Sequence, residues 1–82
     1  MKLDILTPEK KLYSGDATLV QLPGVDGLFE ILDKHAPIIS ALGNGIVKVK
    51  SASGDKNFTI TGGFVECVNN KVIVCAEGGK AQ

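Results

Sequence analysis

The chain predicts an all-β domain, a sandwich or barrel of short strands, on three observations. Apolar and polar residues alternate with period two in several short stretches. Turn signals recur at a spacing of about 8–12 residues, the rhythm of sandwiches and barrels. Those signals are Ser14-Gly15-Asp16, Pro23-Gly24, Asp26-Gly27, Gly43-Asn44-Gly45, Ser53-Gly54-Asp55 and Gly62-Gly63. Helical pattern is nearly absent. The only helix-compatible stretch is Asp33–Leu42, where Pro37 removes a donor and pushes Ala36 out of the helical region, leaving a single turn at best.

Taken in order, Lys2–Thr7 sets Leu3 and Ile5 against Lys2 and Asp4. Ala17–Leu22 is rich in β-formers, with Thr18, Val20 and Leu22 on one side and Leu19 and Gln21 on the other. Gln21–Leu42 then joins the glycine-hinged turn Pro23–Gly27 to a His35-Ala36-Pro37 step, with a short apolar strand between them. A stretch so irregular and so apolar marks a place where the protein meets something. Gly45–Lys50 points Val47 and Val49 inward and Lys48 and Lys50 outward, and Asn57–Thr61 does the same with Phe58 and Ile60 inward. Val65–Val68 and Lys71–Ala76 flank Asn69-Asn70, a two-residue loop suited to the positive φ angles of a type I′ hairpin. The reading gives one domain over residues 1–77 and a tail, Gly78–Gln82, that has lost its β pattern and is expected to fray.

The hairpin also predicts the fate of the two cysteines. With Asn69-Asn70 as the loop, Val68 pairs with Lys71, Cys67 with Val72 and Phe64 with Cys75. Cys67 and Cys75 then fall on opposite faces, so no disulfide joins them and both serve as small apolar residues.

Composition narrows the function classes. Nine Lys+Arg balance nine Asp+Glu among 82 residues, and no basic stripe is present to hold a phosphate backbone. No apolar run approaches the ~20 residues of a membrane span. The N-terminus carries no secretory apolar region, so the thiols are expected to stay reduced in a cytosolic setting, and the sequon Asn57-Phe58-Thr59 is read as chance. No catalytic set, cofactor loop or metal-ligand spacing stands out: His35 is the sole histidine and Gly43-Asn44-Gly45 precedes a strand rather than a helix. Asp26, Glu30 and Asp33 read as solvated turn acids, and Phe29, Phe58 and Phe64 as core. His35 reads either as ordering its own loop through a nearby backbone group or as a residue facing a partner.

Several segments, taken together in order and spacing, resemble the epsilon subunit of bacterial rotary (F-type) ATP synthases. They are Thr7-Pro8-Glu9-Lys10, Tyr13-Ser14-Gly15, Pro23-Gly24, Gly27, Ile31-Leu32, His35-Ala36-Pro37, Leu42, Gly45-Ile46-Val47-Lys48-Val49, Gly62-Gly63-Phe64-Val65-Glu66 and Asn70-Lys71-Val72. The likeness spans Leu3 to about Glu77, and the most specific pieces are the HAP step and the GGFVE segment. The resemblance implies a flattened sandwich of about ten short strands and a non-catalytic stalk subunit without cofactor, metal or small-molecule ligand. It implies gamma subunit and c-ring as partners in an ion-driven synthase, proton or sodium, peripheral at the cytoplasmic face of the inner (plasma) membrane. By position it places Thr7, His35 and Ser40 on the gamma side. It places Leu28, Phe29 and Glu30, with Asp33 and Lys34, on the loop approaching the ring. The family usually has an acid and then a glycine where Leu28 and Glu30 stand, so the carboxylate sits two residues later, on the same face of an extended strand. Asp33-Lys34 replaces a frequent Pro-Gly. Many relatives continue into a two-helix hairpin able to inhibit hydrolysis; these 82 residues are expected to couple and assemble without that arm. The rival reading is a stand-alone sandwich binding a ligand, or a small hydrolase using His35 and a thiol, which requires a pocket beside His35.

Overall fold

The computed structural model describes residues Met1–Gln82 and is all β. Its strands are β1 (Lys2–Leu6), β2 (Lys11–Asp16), β3 (Leu19–Gly24), β4 (Gly27–Leu32), β5 (Ile38–Leu42), β6 (Gly45–Lys50), β7 (Lys56–Val68) and β8 (Lys71–Ala81). They run in the order β2-β1-β8-β7-β5-β3-β4, with β6 bridging β3 and β7. Every pairing is antiparallel except β1 with β8.

The architecture follows from one bend. β7 is a single strand, not two strands around a turn: Gly62 and Gly63 take φ of 56° and 122° and let the chain turn a corner. Before the corner the buried positions are even-numbered, Phe58 and Ile60; after it they are odd, Val65 and Cys67. Pairing with β8 keeps its register throughout, Thr61 facing Gly78 and Gly63 facing Ala76. The ribbon itself therefore twists over. Its first half pairs with β6 and its second with β5, so it belongs to both layers of the sandwich. Counting β7 and β8 as two segments each turns the eight strands into the ten the family resemblance implies.

The layers meet over a wholly apolar core. Leu3, Ile5, Leu42, Val65, Cys67, Val72, Val74 and Ala76 come from one side. Val20, Leu22, Ile31, Val47, Val49, Phe58 and Ile60 come from the other, and no buried residue is polar. The alternation read for β1, β3 and β6 and for Phe58 and Ile60 matches this burial. Along one seam Tyr13 of β2 meets Phe58 edge to face at 5.9 Å between ring centres.

Four expectations are corrected. Asp33–Leu42 holds no helical turn; after the turn at Asp33-Lys34, Ile38–Leu42 pairs along its whole length with β7 as β5, because that ladder offers backbone partners that a Pro-broken helix would not. Ser14-Gly15-Asp16 lies inside β2, held by β1. Gly62-Gly63 is a corner, not a turn. The tail expected to fray is instead strand: Gly78, Gly79, Lys80 and Ala81 face Thr61, Ile60, Thr59 and Phe58, and the Gln82 amide donates to the Asn57 carbonyl at 3.0 Å. Its glycines gave no pattern to read, yet they are what admits it. A Cβ on Gly79 would stand 2.6 Å from the Thr59 carbonyl oxygen.

The hairpin at Asn69-Asn70 forms as expected, with φ of 52° and 59°, and Cys67 opposes Val72 while Phe64 opposes Cys75. Both cysteines are free; Cys67 is buried and Cys75 half-buried.

Candidate functional site

A two-layer sandwich must bury one side of each sheet, and the other side is free to be polar. The outer side of the β5-β7-β8-β1 layer is not. Ile39 on β5 opposes Glu66 on β7, Glu66 opposes Ile73 on β8, and Ile73 opposes Asp4 on β1. The neighbouring row is Ala41, Phe64, Cys75 and Leu6. Ile39, Phe64 and Val68 remain 70%, 46% and 44% exposed. The matching row on the other layer reads Glu30, Gln21, Lys48 and Asn57, all polar, with Leu28, Leu32 and Ile46 exposed to either side of it. Phe64, expected in the core, thus lies outside, because the corner at Gly62-Gly63 gives the inner place to Val65. The sequence carried a signal for this face: Ile38-Ile39 and Phe64-Val65 are consecutive apolar pairs, and in a strand one of each pair must point out.

Two carboxylates cross this face. The Ser14 side chain, and then Lys11, Lys2 and Lys71, hold the Asp4 carboxyl below its ordinary range against the opposing effect of partial desolvation; its Oδ1 is buried without a hydrogen-bond partner. Glu66 is exposed, and no cation comes within 4.0 Å of it.

The residues placed on the gamma side do not converge. Thr7 sits in the β1–β2 turn, where its hydroxyl donates to the Lys10 carbonyl at 3.0 Å. His35 stands at the opposite end of the layer, just before β5, with Nδ1 2.7 Å from the Ala36 carbonyl oxygen and its amide donating to the Leu32 carbonyl. Ser40 opposes buried Val65, so it lies on the inner side of β5 between Ile38 and Leu42.

The ring-facing group separates too. Leu28 and Glu30 point outward near the β3–β4 tip, Leu28 68% exposed. Phe29 turns inward and lies over Gly24, where any Cβ would come within 2.9 Å of its ring. Asp33 and Lys34 are at the far end of β4, tied to the hairpin loop. Asp33 Oδ1 accepts from Asn70 Nδ2 at 2.9 Å and from the Met1 amine at 2.8 Å, and the Lys34 amide donates to Asn70 Oδ1 at 2.6 Å. These partners, the Met1 amine foremost, hold the Asp33 carboxyl below its usual range.

His35 lines none of the surface grooves. Cys67 does approach it, but the thiol points 4.0 Å toward the His35 carbonyl oxygen rather than the ring, and burial pushes its pKa up, away from thiolate. No three His, Cys, Asp or Glu side chains gather as a metal set. No helix is long and apolar enough to cross a membrane.

An apolar outer face on a small sandwich, with Ile39, Phe64 and Val68 exposed together, defines an interaction module. The module has known kin. Residues 1–81 match the model of the ATP synthase Delta/Epsilon chain β-sandwich domain, and the chain belongs to that family. It is 47% identical over 77 residues to the ATP synthase epsilon chain of Chlorobium limicola, covering 93% of this chain and 88% of that one. It is 44% identical over 79 residues to the epsilon chain of Rhodobacter capsulatus, covering 96% of this chain and 60% of that one. The chain therefore spans about three-fifths of some curated relatives and most of others. Among solved structures, a chain of the Euglena gracilis mitochondrial ATP synthase (OSCP/F1/c-ring) superposes with a TM-score of 0.88 at 18% identity, covering 96% of this chain and 51% of that one. A chain of the Tetrahymena thermophila central stalk and c-ring gives 0.79 at 21%, covering 95% and 63%. These two establish the fold.

Proposed function

We propose that this chain is a rotor subunit of the central stalk in an ion-driven ATP synthase, joining the gamma subunit to the c-ring so that ion flow and ATP synthesis stay coupled. The observation that carries the reading is the exposed apolar face around Ile39, Phe64 and Val68, on a chain of the epsilon family. A lone soluble domain has no use for such a face, whereas a subunit bound to gamma buries it. Thr7 and His35 mark the two ends of that layer and are assigned to the gamma contact. Ser40, inside β5, acts by seating the strand. Leu28 and Glu30, at the β3–β4 tip, are assigned to the ring's polar loops, with Phe29 bracing them from below. Asp33 and Lys34, held by Asn70 at the other end of β4, serve the fold first. The subunit is peripheral, at the cytoplasmic face of the plasma membrane.

The test is co-expression with the gamma chain of the same synthase. A stoichiometric complex is expected through affinity capture and gel filtration. A folded chain that leaves gamma behind removes the proposal.

A further inference from the structure

The apolar face has a charge near its middle that its own surroundings do not answer. Glu66 lies between Ile39 and Ile73 across the sheet and between Phe64 and Val68 along β7. Ile39 and Val68, with Pro37 and Ile38, also line a shallow groove against Glu66. Asp4, in the same row, is served by Ser14 and three lysines. Glu66 has no ion pair, and Lys71, opposite Val68 and so diagonal to Glu66 in the ladder, does not reach it.

Covering this face strips water from Glu66. A carboxylate left unpaired in an apolar contact carries a penalty large enough to defeat the contact, unless the incoming surface brings a cation. We infer that the partner segment docking here is apolar and carries one arginine or lysine that pairs with Glu66. This rests on the proposed gamma docking and specifies its chemistry: Phe64, Ile39 and Val68 supply buried area, and Glu66 sets register and selects the partner. A second copy of this chain is a poorer occupant, because facing copies bring the Asp4 and Glu66 rows of both molecules into one interface.

The experiment measures affinity of the 82-residue chain for the gamma chain of the same synthase. Wild type is compared with Glu66→Gln, Glu66→Lys and Phe64→Ser, each checked for an unchanged melting curve. Glu66→Gln is expected to raise Kd about 30-fold, the effect of truncating one partner of a desolvated ion pair. Glu66→Lys is expected to do worse, and the wild-type Kd should depend more steeply on salt than that of Glu66→Gln. Phe64→Ser is expected to weaken binding by about tenfold or more. If Glu66→Gln stays within about threefold of wild type while Phe64→Ser fails, the face docks gamma but takes no cation, and the inference falls. If Phe64→Ser binds normally, gamma docks elsewhere and the inference falls. If wild type is dimeric alone and Phe64→Ser monomeric, the face belongs to a second copy. If folded wild type does not bind gamma at all, the underlying rotor reading falls first.

Discussion

Replacing Gly63 by alanine tests the corner on which both layers depend. Two costs combine. At φ of 122° an L residue sits in a region open almost only to glycine, a strain of about 1–3 kcal/mol. The new Cβ would also lie 2.0 Å from the Cys75 carbonyl oxygen and 2.8 Å from the Ala76 Cα, both backbone atoms of the paired strand. Backbone cannot swing aside as a side chain can, so relief means opening the β7–β8 ladder, at about 1 kcal/mol for each hydrogen bond lost. Strain of about 2 kcal/mol with two ladder bonds lost comes to about 4 kcal/mol. The whole domain is expected to hold only about 4–12 kcal/mol. Gly27→Ala and Gly54→Ala are the controls. Their φ angles are 127° and 118°, but nothing lies within 4 Å of the added carbon, so they carry the strain alone. Gly62→Ala falls with them: its φ is 56° and its added carbon meets only the Glu77 carboxylate at 2.9 Å, which can move. Urea unfolding followed by far-ultraviolet circular dichroism gives the four stabilities. A Gly63→Ala variant within about 1 kcal/mol of Gly27→Ala would refute the reasoning, since it would mean the corner is loose enough to absorb a methyl group.

Two further outcomes follow from titratable groups. Asp4 and Asp33 both have folded pKa values below their ordinary range, so each contributes stability that is present above the unfolded value, about 3.9, and is lost as pH falls through the lower folded value. Melting temperature should therefore decline as pH drops below about 4, and Asp33→Asn should flatten that decline; an unchanged slope would show that Asp33 contributes nothing through its charge. Cys75 should react with a thiol reagent in the native protein, whereas Cys67, buried and with its thiol held protonated, should react only on unfolding. Equal native reactivity, read by mass spectrometry, would contradict the burial of Cys67.

Local chemistry was legible where a few neighbouring residues decide the outcome. Asn69-Asn70 could be read as a type I′ hairpin because few L residues tolerate two successive positive φ angles, and that loop then dictated the register which separates Cys67 from Cys75. Val47 and Val49, or Phe58 and Ile60, announced their inward side by alternation. The family was legible too, through HAP and GGFVE in order.

Tertiary structure alone decided the rest. Gly62-Gly63 has the same local signature whether it reverses the chain or bends it; β6 and β5 pairing on either side of it makes it a corner. Gly78 and Gly79 have no side chains to show a face, and only the waiting edge of β7 makes them strand. Of Ile38-Ile39 and Phe64-Val65, alternation says that one of each points out, but which one depends on a register set by residues more than twenty positions away. So the sequence by itself determined an all-β domain of this family with no evident reaction chemistry, because turns and alternation are local. The folded chain decided where its apolar face lies and that Glu66 stands unpaired within it, because long-range strand pairing settles which side of each strand meets the core.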